Sequence, residues 1–287
     1  MENKFIVAGI GELLWDCLPA GKQLGGAPCN FAYHTRKSGC ECFVVSAIGK
    51  DNLGNEIKKE LQNLDLTAYY IQETDFPTST VTVTLDENGQ PDYTIHENVA
   101  WDQIEWSADL EMLASQVDAV CFGSLAQRNE VSQKTILQFL TATKKECLRV
   151  FDINLRQAFY NQEIIEKSLE LATVLKLNDD ELPIVACIFQ LNGTDDELLS
   201  QLMKRFNLRL IALTKGAKGS ILVTKNEKSF MEVLKVKIAD TVGAGDSFTA
   251  VLVAGLLQNQ DLKMIHETAT QVAAFVCTQD GAMPVYK

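Results

Sequence analysis

The chain has 287 residues, 46% hydrophobic and 22% charged, enough apolar material for a large buried core in one domain or two. Its formal net charge is −12, from 26 basic against 38 acidic side chains, which argues against nucleic acid and anionic membrane surfaces as partners. The start M-E-N-K-F-I-V leads into a strand without the long apolar region of a signal peptide, and no apolar run could span a bilayer, so a cytoplasmic protein is expected.

Residues 4–10 form a continuous apolar run ending at Gly9 and Gly11, the pattern of a buried parallel strand. Residues 12–26 are rich in Gly and Pro and carry exposed-looking Leu14, Trp15 and Leu18. Gly25, Gly26, Ala27 and Pro28 then open a helix that runs to Gly39. A second buried strand is predicted over 43–48, and Asp51 caps a helix through about Leu64, with Lys58 and Lys59 on its wet side. From 68 to about 101 the pattern changes. Residues 78–85 alternate in a β-branched run, 86–89 read as a hairpin turn, and 93–96 return. With helical neighbours on neither side, this segment is expected to stand off the main body as a small β-sheet. Together with 12–26 it would form a discontinuous lid over a pocket. Trp15 and Trp101 are read as packing residues.

After Trp106 strands and helices alternate. Strands are predicted at 118–123, 148–153, 173–177 and 208–214, and helices at 130–144, 163–171, 179–189 (interrupted early by Pro183) and 194–206. A hairpin follows at 220–224 and 230–233, then a glycine turn with its helix, and a last helix at 262–278. Alternation of this length predicts a three-layer α/β/α sandwich with a mainly parallel central sheet. No repeat, low-complexity tract or linker divides it. The eight cysteines lack C-x-x-C spacing and sit mostly in apolar runs, so they read as reduced core residues. The three histidines share no ligand-like spacing.

The chain is organised around residues 239–248, A-D-T-V-G-A-G-D-S-F. A tight turn at Gly243, Ala244 and Gly245 feeds a helix whose apolar face begins at Phe248. The turn's N–H groups lack helical partners and make a nest for an anion. Asp246 just past it is a candidate base, so the pair suits moving a phosphoryl group onto a hydroxyl. A helix start whose acid complements the dipole fits the same residues. In a parallel sheet, ligands bind beyond the carboxyl ends of the strands. Gly11 and Asp16, D-I-N-L-R at 152–156, K-L-N-D-D-E at 176–181 and T-K-G at 214–216 all fall there. Asn178 and Glu181 equally fit a helix cap, Arg156 a surface ion pair, and Asp16 a solvated loop carboxylate. The chain lacks G-x-x-x-x-G-K-[ST], excluding a P-loop, and no G-x-G-x-x-G follows the first strand, which disfavours a dinucleotide oxidoreductase.

D-T-V-G-A-G-D-S-F resembles the C-terminal signature of the PfkB, or ribokinase-like, carbohydrate kinases. G-E-L-L-W-D at 11–16 and L-G-G-A-P-C-N-F-A-Y-H at 24–34 resemble its fructokinase-like members. F-D-I-N-L-R, L-K-L-N-D-D-E-L and L-T-K-G-A-K-G-S follow in the family's order, so the likeness runs nearly end to end. It implies a single kinase domain with a β lid at about 12–26 and 68–101, and ATP-dependent phosphorylation of a small sugar, fructose first. Kinases for ribose, 2-keto-3-deoxygluconate or adenosine, or a sugar-binding protein without catalysis, remain open alternatives. Residue by residue it implies Asp246 as base, and the amides of Gly243, Ala244 and Gly245 as the anion hole. Asp16, Gly26 and Asn30 would be sugar ligands. Arg156, Lys176, Asn178, Thr214, Gly216 and Gly219 would lie on the nucleotide side. Asn178 and Glu181 would place Mg2+, mostly through water. Asp240, Val242, Val276, Gln279 and Gly281 would supply a monovalent cation site for K+, and the lid would mediate a homodimer. Near a helix N-terminus, Asp246 is expected to stay ionised and be a weak base.

Overall fold

The computed structural model describes residues 4–18, 21–85 and 91–286, so the turn expected at 86–89 lies outside the described residues. In chain order the first half contains β1 (Ile6–Ile10), β2 (Leu14–Leu18), β3 (Gly21–Gly25), α1 (Ala27–Lys37), β4 (Glu41–Gly49), α2 (Asn52–Asn63), β5 (Ile71–Thr74), β6 (Ser79–Leu85), β7 (Pro91–Ile95), α3 (Ala108–Gln116) and β8 (Ala119–Phe122). The second half contains α4 (Glu130–Ala142), β9 (Leu148–Asp152), α5 (Gln162–Leu171), β10 (Val174–Asn178), α6 (Glu181–Ile188), α7 (Asp195–Arg205), β11 (Leu210–Thr214), β12 (Ser220–Thr224), β13 (Lys228–Met231), α8 (Ala244–Leu257) and α9 (Leu262–Cys277).

The apolar runs pair into a nine-stranded sheet in the order β13-β12-β11-β10-β9-β8-β1-β4-β5. The pairings from β11 through to β5 are parallel, and β12 and β13 join antiparallel at one edge. Parallel strands need both faces covered, and two cores do this. On one face Val7, Val44, Val150 and Leu210 pack with Phe31, Ile57, Leu252 and Ile265 of α1, α2, α8 and α9. On the other, Ile10, Phe122, Phe151 and Leu177 pack with Leu110, Phe139, Ile165, Val185 and Leu199 of α3 to α7. The result is the three-layer α/β/α sandwich that the alternation predicted.

Helix starts follow local chemistry. Asp51 accepts from Gly54 N at 2.8 Å, and Thr194 and Glu197 close a capping box on α7. Pro183 does not interrupt α6 as expected. It is the third residue of a helix that begins at Glu181, where its missing N–H costs nothing because first-turn amides have no helical acceptor. Helix α3 was not anticipated. Ser107, whose side chain accepts from Leu110 N, starts it, and its short apolar face of Leu110, Leu113 and Ala114 is easily read as loop.

Within 12–26, residues 14–18 and 21–25 are strands of the small sheet, as expected of this segment. Strands β2 and β3 pair antiparallel, β2 runs parallel to β6, and β6 pairs with β7, giving a four-stranded sheet ordered β3-β2-β6-β7. Leu14 and Trp15 are buried, correcting their exposed appearance in the sequence; Trp15 Nε1 donates to Leu53 O at 3.1 Å and ties the hairpin to α2. The small sheet takes only part of 68–101. Strand β5 pairs with β4 at the edge of the large sheet, and Trp101 lies fully buried in the main core. Both corrections have one cause: a short strand's neighbours are set by tertiary pairing, which alternation alone does not specify.

Candidate active site

Helix α8 is apolar nearly all round, and Ser247 to Gly255 are buried, because α1 and α9 cover it. Its N-terminus is therefore held rigidly at the sheet's carboxyl edge. Gly243 is the N-cap, with φ +78° and ψ −7°, the left-handed conformation that glycine adopts freely. Among the described residues the amides of Gly243 and Gly245 have no acceptor. The amide of Ala244 donates to Thr241 O at 3.3 Å, so two of the three predicted amides are bare and one is partly used. Asp246 follows, half-buried, and its Oδ2 accepts from Asn30 Nδ2 at 2.8 Å. Burial is the main force that pushes its carboxyl up to about 6. The charge of Asp152 adds to this, while Asn30, Lys176 and Arg156 oppose it. The sequence suggested a weak base held down by the helix dipole; in the structure desolvation outweighs that dipole.

Beneath the turn lies a buried ion pair. Asp152 and Lys176 are register partners on β9 and β10, and Lys176 Nζ donates to Asp152 Oδ1 at 3.0 Å. Thr249 Oγ1, on α8, donates to Asp152 Oδ2 at 2.9 Å. Lys176 Nζ lies only 3.0 Å from the place a Cβ on Gly245 would occupy. Burial works against its charge, but Asp152, Glu181 and Asp246 outweigh that and raise its pKa. Lys176, expected as a phosphate-side cation, is buried under the glycine turn.

Asn178 and Glu181 act here as the helix cap that their spacing also allowed. Asn178 Oδ1 accepts from the amides of Asp180 at 2.9 Å and Glu181 at 2.8 Å. Glu181 returns Oε2 to Asn178 N at 2.8 Å and gives Oε1 to Leu155 N at 3.0 Å. Each Glu181 oxygen thus accepts from one amide, which fixes the carboxylate in place. Among the described residues no three His, Cys, Asp or Glu side chains form a metal-holding group.

Asp16 lies on β2, half-buried, with its carboxyl pushed up to about 6, chiefly by burial and slightly by Asp240, against the pull of Arg156. Gly26, at φ +113°, caps α1; a Cβ there would sit 2.4 Å from Glu12 O. Asn30 is buried, and its Oδ1 has no partner among the described residues. Glu12 is a site residue that the sequence reading missed. It is buried at the end of β1, its Oε1 accepts from Ala27 N at 3.3 Å, and its Oε2 is unpaired among the described residues. Burial foremost, and the neighbouring Asp246 charge, push it up to about 7. The available signal was a carboxylate directly after a buried strand, inside the quoted G-E-L-L-W-D.

Arg156 is exposed and donates to its neighbour Leu155 O at 3.1 Å, yet its charge acts on Glu12, Asp16 and Asp246. Its charge is thus felt at the carboxylates beside the glycine turn. Thr214 is the register partner of Asn178, and Gly216 (φ +49°) and Gly219 (φ +93°) frame the turn after β11. The predicted cation segments do meet. Asp240 Oδ1 accepts from Val242 N at 3.0 Å and Oδ2 from Gly281 N at 3.2 Å, while Gln279 N donates to Val276 O at 3.0 Å.

A carboxylate oriented by an amide side chain, beside bare main-chain donors, can deprotonate a hydroxyl and steady an anion in one place. The pfkB family carbohydrate kinase profile matches residues 12–286. The chain is 27% identical over 301 residues to an ATP-dependent 6-phosphofructokinase of Thermoanaerobacterium thermosaccharolyticum, covering 98% of this chain and 91% of the relative. It is 27% identical over 299 residues to a fructokinase of Escherichia coli, covering 96% and 94%. A crystal structure of an uncharacterized sugar kinase from Pyrococcus horikoshii in complex with ATP superposes with TM-score 0.80 at 26% identity, covering 97% of this chain and 94% of that one.

Proposed function

The chain belongs to the pfkB family of carbohydrate kinases, and we propose that the sugar it phosphorylates with ATP is fructose. The observation that carries the reading is the Asn30–Asp246 pair at 2.8 Å next to the bare amides of Gly243 and Gly245. Asp246 takes the proton of the sugar hydroxyl as its oxygen bonds to the γ-phosphorus. The bond to the β–γ bridging oxygen breaks, and ADP leaves. The transition state is loose, so positioning and charge neutralisation dominate. The Gly243 and Gly245 amides receive the transferring group, and the buried Lys176 adds positive charge below them. Magnesium, reached through water from Asn178 and Glu181, would neutralise phosphate charge. Potassium would sit among Asp240, Val242, Val276, Gln279 and Gly281.

Asp16, Gly26 and Asn30 hold the sugar. Asp16 accepts hydroxyl hydrogen bonds, and the unpartnered Oδ1 of Asn30 takes another. Arg156 joins this side, while Thr214, Gly216 and Gly219 flank the nucleotide. The four-stranded sheet is the lid of one kinase domain; its closure excludes water. Among the described residues β3 and β7 are its edge strands and would carry a homodimer, which sedimentation velocity would detect; a monomer at micromolar concentration would discard that. No helix among the described residues is long and apolar enough to cross a membrane, in keeping with a cytoplasmic place of work.

A second reading, an acceptor already carrying a phosphate or carboxylate, is favoured by the exposed Arg156 guanidinium beside Asp16. Measuring ADP release with fructose, fructose 6-phosphate, 2-keto-3-deoxygluconate, ribose and adenosine separates the two. Highest kcat/KM with fructose is expected. Preference for an anionic acceptor would move the assignment to the second reading, and no release with any would remove both.

A further inference from the structure

Residues 282–286 run as a strap between α1 and the glycine turn. Ala282 is buried, and a Cβ added to Gly243 would lie 2.6 Å from the Ala282 Cβ, so strap and turn touch with no space between them. What fixes the strap is His34, fully buried on α1 one turn beyond Asn30. Its Nε2 lies 2.8 Å from Ala282 O and its Nδ1 lies 2.7 Å from the Tyr286 hydroxyl. A carbonyl only accepts, so Nε2 carries the hydrogen and Nδ1 accepts from Tyr286. Tyr33 Oη adds a bond to Pro284 O at 2.7 Å, and the His34 and Tyr286 rings meet edge-on with centroids 5.8 Å apart. An apolar side chain would fill this space without the cost of burying an imidazole. Two directed bonds are what it adds, and they aim Ala282 at the turn.

We propose that His34 is a positioning residue for phosphoryl transfer, holding the strap through Ala282 so that the Gly243 turn keeps its aim at the transferring group. This rests on the reading of that turn as the anion site. Helix α1 then serves both substrates: Asn30 faces the base, and His34, four residues on, braces the phosphoryl-binding turn. Burial pushes His34 down to about 4, so the imidazole is neutral and its bonding pattern single-valued at working pH.

Two amide replacements separate positioning from packing. His34→Gln puts an amide N–H near the place of Nε2 and keeps the bond to Ala282. His34→Asn puts its amide near Nδ1, reaching Tyr286 but not Ala282. With the acceptor that gives the fastest ADP release, kcat and both KM values are measured well below each Tm. His34→Asn is expected to lose kcat roughly 10- to 100-fold with sugar KM little changed, and His34→Gln to keep most of it. Equal kcat in the two variants, or wild-type kcat in His34→Asn, overturns the proposal. If His34→Asn does not fold, Ala282→Gly loosens the same contact from the strap side; a comparable kcat loss supports the proposal and wild-type kcat overturns it. Active His34→Asn beside inactive Asp246→Asn would discard the brace and leave the kinase assignment standing.

Discussion

Asp246 shows how a residue's surroundings decide its chemistry. A carboxylate at a helix N-terminus in water would be a feeble proton acceptor, but burial and the Asp152 charge bring this one to about 6. It accepts a proton only when ionised, so kcat/KM should fall about tenfold per pH unit below about 6 and level off above it. The profile is read from initial rates between pH 5 and pH 8; a flat profile to pH 5 would count against a base titrating there. The D-S-F that follows G-A-G made Asp246 legible in the sequence, because helical spacing placed it at a turn. Glu12 was not legible, because whether a carboxylate beyond a strand faces water or a dry cleft depends on the sheet that covers it. Here that cover is α1, whose first amide it binds.

At the scale of elements, the sheet edge gathers charge because adjacent parallel strands end together. Lys176 opposite Asp152, and Asn178 opposite Thr214, follow from one register. The side chains of Lys176 and Asp152 are 9% and 6% exposed, so removing either partner leaves a charge in a dry place. Asp152→Ala is expected to destabilise the protein by about 3 kcal/mol, the lower end for breaking a buried pair, since Glu181 and Asp246 still face Lys176. Urea unfolding checks this; a change under about 1 kcal/mol would show that the pair is not desolvated. Strand and helix alternation after Trp106 could be read from periodicity, because buried parallel strands are apolar throughout. The bounds of β2 and β3 could not: the glycines of that segment break any alternation, and pairing with β6 sets the register. The Asn178–Glu181 spacing fitted two readings at once, and the structure shows the cap.

Across the whole molecule, the small sheet carries Asp16 while the large sheet and α8 carry Asp246, so the two groups assigned to the sugar come from separate layers. Asp16→Ala should raise the sugar KM far more than the ATP KM, measured by varying each substrate at saturation of the other. Equal effects on both would take Asp16 out of the sugar site. The overall architecture was legible because a run of alternating elements allows few arrangements. The limits of the small sheet were not, since β5 and Trp101 join the main body through contacts distant in sequence. The account as a whole is tested most directly by the kcat of Asp246→Asn, measured as ADP release with saturating ATP and sugar. A fall of roughly 10²- to 10⁴-fold with sugar affinity nearly unchanged is predicted. Near-normal kcat in that variant would contradict Asp246 as the base and the active site built around it.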